Sequence, residues 1–184
     1  MGKILNKEVE IKAKVTDFEV IKQKLRNLGC VFSEEIRQVD TVFINKTNTF
    51  PTIKPGCEVL RIRVQNGKYF LTYKKAVANE LDRIEREVEV GDRQVTEDIV
   101  NFLGFKEIIK VDKKRIKTRW GDYEICLDEV LDLGKFIEIE KMTNESDGEK
   151  IQGELLLFLN DLGIPMSDRV FQGYDTMLYE QQQK

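Results

Sequence analysis

Residues 8–15 read EVEIKAKV. Glu8, Glu10 and Lys12 fall on one side of an extended chain, and Val9, Ile11 and Ala13 on the other; this period of two predicts a strand. A half-buried strand ordinarily turns its polar side to water. Whether this one does so depends on where the rest of the chain puts its charges.

Seven further stretches look like strands: QVDTVFIN (38–45), EVLRIRVQ (58–65), KYFLTYKK (68–75), RIEREVEV (83–90), VDKKRIKTRW (111–120), YEICLDEV (123–130) and FIEIEK (136–141). Asn66-Gly67 and Gly121-Asp122 each leave a two-residue loop, the length that closes an antiparallel hairpin. Helical spacing appears three times. Phe18, Ile21, Leu25 and Leu28 follow Thr16-Asp17 as a cap and stop at Gly29; Val95, Ile99, Phe102 and Leu103 stop at Gly104; Ile151, Leu155, Phe158, Leu159 and Leu162 stop at Gly163. Met177 and Leu178 suggest a short terminal helix before the polar QQQK, and the stretches around Pro51 and Pro55, at 76–82 and at NESDG (144–148) read as loops.

EVEI (8–11), EVEV (87–90) and EIEK (138–141) each precede a helix that ends in Leu-Gly, and the first two lead on to a strand containing Val-Asp. This is a weak internal repeat. A duplication and the chance recurrence of Glu-apolar-Glu both fit it.

At 184 residues the chain has the length of one domain with a sizeable core. Its 30 basic and 33 acidic side chains leave a formal charge of -3, without the basic excess that nonspecific nucleic-acid binding requires. Cys30, Cys57 and Cys126 are odd in number and widely spaced, which points to reduced thiols rather than a disulfide framework or a CxxC metal site. The longest aliphatic run, LLLFL at 155–159, is far short of a membrane span, so no membrane partner and a cytoplasmic location are expected. There is no histidine. That removes every Ser-His or Cys-His nucleophile and leaves carboxylates as the main metal ligands, which favours Mg²⁺ or Mn²⁺.

The charges recur in rows of one sign. Arg61 and Arg63 share a face opposite Leu60, Ile62 and Val64; Lys113 and Arg115 share one; Glu138 and Glu140 share one opposite Ile137 and Ile139. The apolar faces of eight strands need cover, and three amphipathic helices can supply it from outside. The expected fold is therefore α+β: an eight-stranded antiparallel closed barrel with a charged interior and helices packed around it, wide enough for side chains or one small ligand. Burying like charges without partners is prohibitive. A cationic zone and an anionic zone, each completed by a ligand, would solve this: Arg and Lys rows suit a polyphosphate, and carboxylates on alternate strand positions can hold the hard cations that bridge it.

Glu8-x-Glu10-x-Lys12, Arg61-x-Arg63, Lys74, Lys113-x-Arg115, Asp128 and LGKFIEIE with Glu138 and Glu140 resemble, in this order, the CYTH superfamily. That group comprises class IV adenylyl cyclases and thiamine or inorganic triphosphatases sharing a triphosphate tunnel. The resemblance implies a single tunnel domain over 1–184, in which Arg61, Arg63, Lys74, Lys113 and Arg115 grip the triphosphate of ATP or another substrate. It implies that Glu8, Glu10, Asp128 and Glu138 handle the metal, with Lys12 near the reacting phosphate and Lys12, Glu10 and Asp128 as the catalytic set. A homodimer is left open.

One departure stands out. The family often carries Asp-x-Tyr-aromatic in the second strand, where this chain has Asp40-Thr41-Val42-Phe43; a valine brings no hydroxyl, which counts against thiamine-triphosphatase chemistry. The cyclase branch is the favoured reading, ahead of a triphosphatase and of a nonenzymatic nucleotide or polyphosphate binder. Tyr69, Tyr73, Trp120 and Phe136 are expected to pack rather than to stack on a base.

Overall fold

The computed structural model describes residues 7–51, 54–144 and 147–183. Part of the Pro51–Pro55 loop (52–53) and of NESDG (145–146) lies outside the described residues, as does Lys184 of the polar tail. Eight long strands form in the predicted order: β1 (Lys7–Lys14), β2 (Ile36–Asn45), β3 (Glu58–Gln65), β4 (Lys68–Asn79), β5 (Asp82–Val90), β6 (Phe105–Trp120), β7 (Tyr123–Val130) and β8 (Gly134–Thr143). The helices are α1 (Phe18–Asn27), α2 (Arg93–Phe102), α3 (Gly148–Asp161) and α4 (Tyr174–Gln182), with a two-residue strand β9 (Arg169–Val170) before the last.

Asn66 and Gly67 both take positive φ, 51° and 73°. This is the conformation that a two-residue hairpin between β3 and β4 demands. Asp17, Asp92 and Asp147 cap α1, α2 and α3 by accepting from Glu19 N, Val95 N and Lys150 N, contributing about 1 kcal/mol each. The expected loop at 76–82 is mostly strand. β4 runs on to Asn79 and β5 begins at Asp82, with an irregular register between Ala76 and Asn79.

The strands follow the order β5-β4-β3-β2-β6-β7-β8-β1, and β5 returns to β1, so the antiparallel sheet is a closed barrel. At the seam β1 is shared: Glu8 and Val9 pair with Arg83 and Asp82 of β5, whereas Lys12 and Ala13 pair with Val170 and Arg169 of β9. Exchanging each strand for the one four places on leaves the eight-strand order unchanged. A duplication would leave this two-fold symmetry, but the paired Val-Asp steps are not equivalent in use: Asp40 faces inward to Arg63 and Asp112 outward to Arg37.

Outside the barrel, α1 and α3 cover β1, β7 and β8, with Ile21, Leu25, Ile151, Leu155 and Leu159 against Val9, Ile11, Ile125, Leu127, Ile137 and Ile139. α2 packs through Val100 on Phe43, Leu60, Ile62 and Phe105. The stripe expected to face the sheet here, Val95, Ile99, Phe102 and Leu103, points away, with Ile99 50% and Phe102 88% exposed. The buried pair is Thr96 and Val100, each one residue on from Val95 and Ile99 and so about 100° round the helix. A 3.6-residue period marks an apolar stripe without saying which side the sheet takes.

Inside, alternation carries five of the strands from charge to hydrocarbon. Val42 and Ile44 follow Asp40, Val59 precedes Arg61, Val111 precedes Lys113, Val130 follows Asp128 and Phe136 precedes Glu138. These apolar residues form a second core with Tyr174 and Leu178. The fourth helix is therefore not an outer cover: it closes the apolar end of the barrel and leaves the rest to the charges.

Candidate active site

The barrel encloses a cavity of about 280 Å³, lined among others by Glu8, Lys12, Asp40, Arg61, Arg63, Lys74, Arg83, Lys113, Arg115, Glu138, Glu140 and Tyr174. Eight of the ten side chains assigned from sequence line this cavity, and the ninth, Asp128, pairs with Arg115, which does. Glu10, the tenth, pairs with Lys12 and Arg83 on its wall.

Two separate zones of opposite charge do not form. Antiparallel register sets Asp40 opposite Arg63, and the pair closes through two hydrogen bonds, Nε to Oδ1 and Nη2 to Oδ2, both 2.7 Å. Arg61 donates to Thr72 Oγ1 at 3.0 Å and meets Glu85 and Glu87 at 3.1 and 3.0 Å; Lys74 lies 2.8 Å from Glu85. Arg115 donates to Asp128 Oδ1 at 2.7 Å and also pairs closely with Glu138, while Lys113 reaches Asp128 at 3.3 Å. Lys12 sits between Glu138 at 3.0 Å and Glu10 at 3.3 Å. The physical reason is local: a buried cation needs an anion within reach in the empty protein, before any ligand arrives.

These pairs set the ionisation of the site. Burial would raise the carboxyl of Asp40, but Arg63 and Arg61 outweigh it and hold the group well below the usual range. Glu138 is likewise held well below by Lys12 and Arg115 against its burial. Lys12 is raised, its burial overcome by Glu138 and Glu10, so it stays cationic. Lys113 and Lys74 go the other way, lowered first by burial and then by Arg115 in one case and Arg61 in the other.

Glu8, Glu10 and Glu140 gather with ligand oxygens within 4.8 Å of one another. Burial, and then the Glu8 charge, push Glu140 well above the ordinary carboxylate value; burial also raises Glu8, against the pull of Arg83. Glu10 is 1% exposed; its Oε1 lies 3.3 Å from Lys12 Nζ and accepts no hydrogen bond among the described residues. Crowded, buried carboxylates that raise one another's protonation fit a hard divalent cation, and these three could hold one. A second group, Glu124, Cys126 and Glu140, shares Glu140. Asp128 and Glu138, expected among the metal ligands, lie outside both groups and pair with Arg115, Lys113 and Lys12.

Sequence reasoning passed over Arg83, which bridges Glu8 at 3.0 Å, Glu10 and Glu85. It is on the same alternating face as Glu85 and Glu87, so the signal was present. Glu140 was noted without being assigned a site role. Tyr174 had no signal: it reaches the cavity from a helix whose docking place no local pattern announces.

The model of the CYTH domain matches residues 6–174. The chain belongs to the CYTH family. A Methanocaldococcus jannaschii protein, provisionally named an adenylate cyclase, is 31% identical over 91% of this chain and 95% of its own. The solved structure of the PH1819 protein of Pyrococcus horikoshii is 33% identical, covers 95% of this chain and 99% of its own, and superposes with a TM-score of 0.79. A Hippeastrum structure, titled as a provisional adenylyl cyclase that reveals a dominant triphosphatase activity, shares the fold at 18% identity and TM-score 0.60 over 97% of this chain and 96% of its own. Among the described residues of this CYTH protein no helix is long and apolar enough to cross a membrane.

Proposed function

We propose that this CYTH protein is a divalent-metal-dependent adenylyl cyclase that converts ATP to 3′,5′-cyclic AMP and pyrophosphate. The observation that carries the triphosphate reading is the meeting, in one cavity, of Arg61, Arg63, Lys74, Lys113 and Arg115 with Glu8 and Glu140, which Glu10 joins to form a carboxylate group. The five cations bind phosphoryl oxygens, Arg by its fork and Lys as a point charge. Glu8, Glu10 and Glu140 would hold Mg²⁺ or Mn²⁺, which would neutralise phosphoryl charge and lower the pKa of a bound hydroxyl. Lys12, locked between Glu10 and Glu138, is a permanent positive charge beside the reacting phosphorus. Asp128 keeps Arg115 and Lys113 aimed. The ribose 3′-hydroxyl gives up its proton to solvent, and its oxygen forms a bond to the α-phosphorus as the bond to pyrophosphate breaks and pyrophosphate leaves.

The choice of cyclisation rests on the name of the M. jannaschii relative and on the LGKFIEIE segment. A second reading, hydrolysis of the terminal phosphate, is favoured by a different observation: Tyr174 is the sole aromatic lining the cavity among the described residues. Its ring is taken up by lysines, so the site reads polyphosphate rather than base. Tyr73 instead bonds Glu58, Trp120 stacks on Phe158, and Phe136 packs on Tyr174.

Incubation with α-labelled ATP and Mg²⁺ or Mn²⁺, followed by separation of products, decides between them. Cyclic AMP with pyrophosphate supports cyclisation. ADP with phosphate replaces it by the triphosphatase, and ATP and tripolyphosphate both left unchanged in the same assay overturn both.

A further inference from the structure

Tyr174 is the anomaly of the cavity. It is 6% exposed, and its hydroxyl has no hydrogen-bond partner among the described residues. A buried hydroxyl without a partner is costly and rare in native structures. This one lies in surroundings rich in acceptors, close enough to Asp128, Glu138 and Glu10 to feel their charges. Those carboxylates are occupied: Asp128 and Glu138 by Arg115, Lys113 and Lys12, Glu10 by Arg83 and Lys12.

The residue is held in place from several sides. Glu80, in the turn between β4 and β5, accepts from Gly173 N at 2.8 Å and Thr176 Oγ1 at 3.2 Å, fixing the start of α4. Lys12 Nζ donates to Gln172 O at 3.4 Å. The ring packs edge-on against Phe136 with centroids 5.1 Å apart, and Lys12 and Lys113 Nζ lie 4.0 and 5.0 Å from its centroid. The phenol is thus anchored beside two cations assigned to the substrate, and burial followed by the Asp128 and Glu138 charges keeps its proton on well beyond the ordinary range. A neutral donor in such a place suits an anionic acceptor that arrives with the ligand.

We propose that the Tyr174 hydroxyl is a substrate-binding donor that hydrogen-bonds a phosphoryl oxygen of the bound triphosphate. The proposal rests on the triphosphate reading above. It adds a neutral contact to the ionic ones, from the helix that closes the barrel rather than from a strand.

Tyr174→Phe separates this role from a packing role, because it keeps the ring, the lysine contacts and the Phe136 contact and removes one oxygen. Calorimetric titration with tripolyphosphate, alongside melting of the ligand-free proteins, is the test. The variant should melt at or above the wild-type temperature, since an unpartnered polar atom has gone, and should bind tripolyphosphate about tenfold more weakly or worse, the usual effect of losing a hydrogen bond to a charged group. Affinity within twofold of wild type would overturn the proposal while leaving the triphosphate reading intact. Wild-type protein that fails to bind tripolyphosphate would overturn both.

Discussion

Asp40 and Arg63 face each other across β2 and β3 and join through two 2.7 Å hydrogen bonds in the interior of the barrel. The pair shows how the protein keeps cations poised inside a cavity. Asp40→Asn leaves Arg63 with a neutral neighbour and takes away the charge that Arg61 also feels at 3.8 Å. Breaking one side of a buried ion pair costs about 3–5 kcal/mol. Urea unfolding should show a loss of that order, part of it recovered when tripolyphosphate is present; a loss below about 1 kcal/mol would mean the pair is solvent-screened.

The same pair fixes a pH dependence. The folded carboxyl of Asp40 is held well below its unfolded value by Arg63 and Arg61 against burial, so its contribution is complete above the unfolded value of about 3.9 and is lost as pH falls towards the folded one. Glu138 acts in the same sense. Stability should decline steeply below about pH 4, and less steeply in Asp40→Asn.

Much of this was legible beforehand, and for a definite reason. Alternation in EVEIKAKV and EVLRIRVQ shows which residues share a face, and the Asn66-Gly67 step shows where a hairpin closes. Neither reveals cross-strand register. That is why the pairing of Asp128 and Glu138 with Arg115, Lys113 and Lys12 was not foreseen, and why two charge zones were expected where the pairs interleave. Tyr174 and the exposed side of α2 escaped because both depend on how a helix docks.

Glu140 works in the opposite direction from Asp40. Its folded pKa is raised, by burial and then by Glu8, so without metal the protein loses stability as pH rises from the ordinary glutamate value, about 4.3, towards the folded one. A divalent cation between the carboxylates should remove that loss. Glu140→Gln is expected to melt higher than wild type at pH 7.5 in chelator and to show a smaller rise on adding Mn²⁺. A variant that melts lower in chelator and responds fully to Mn²⁺ would contradict the carboxylate grouping.

Lys113 is lowered by burial and then by Arg115, and a bound phosphate would restore its proton. Tripolyphosphate binding should therefore take up protons at alkaline pH and weaken as pH rises. Titrations in buffers of different ionisation enthalpy measure the uptake, which should shrink in Lys113→Met.

For α2, the docking seen here makes Val100 a core residue and leaves Ile99 half-exposed. Val100→Ala should cost about 2 kcal/mol and Ile99→Ala well under 1 kcal/mol in urea unfolding. The reverse order would place the opposite face of the helix on the sheet.

The central claim, that the inward-facing charges form one enclosed triphosphate site, is tested most directly by melting the protein with tripolyphosphate and with sulfate at matched ionic strength. A linear polyanion can satisfy Arg61, Arg63, Lys74, Lys113 and Arg115 together, whereas sulfate reaches one or two and otherwise only screens. At a hundredfold excess over Kd, tripolyphosphate should stabilise the fold by about 2.7 kcal/mol, a rise of about 5–10 °C, with sulfate giving far less. Equal shifts for the two anions would contradict the claim.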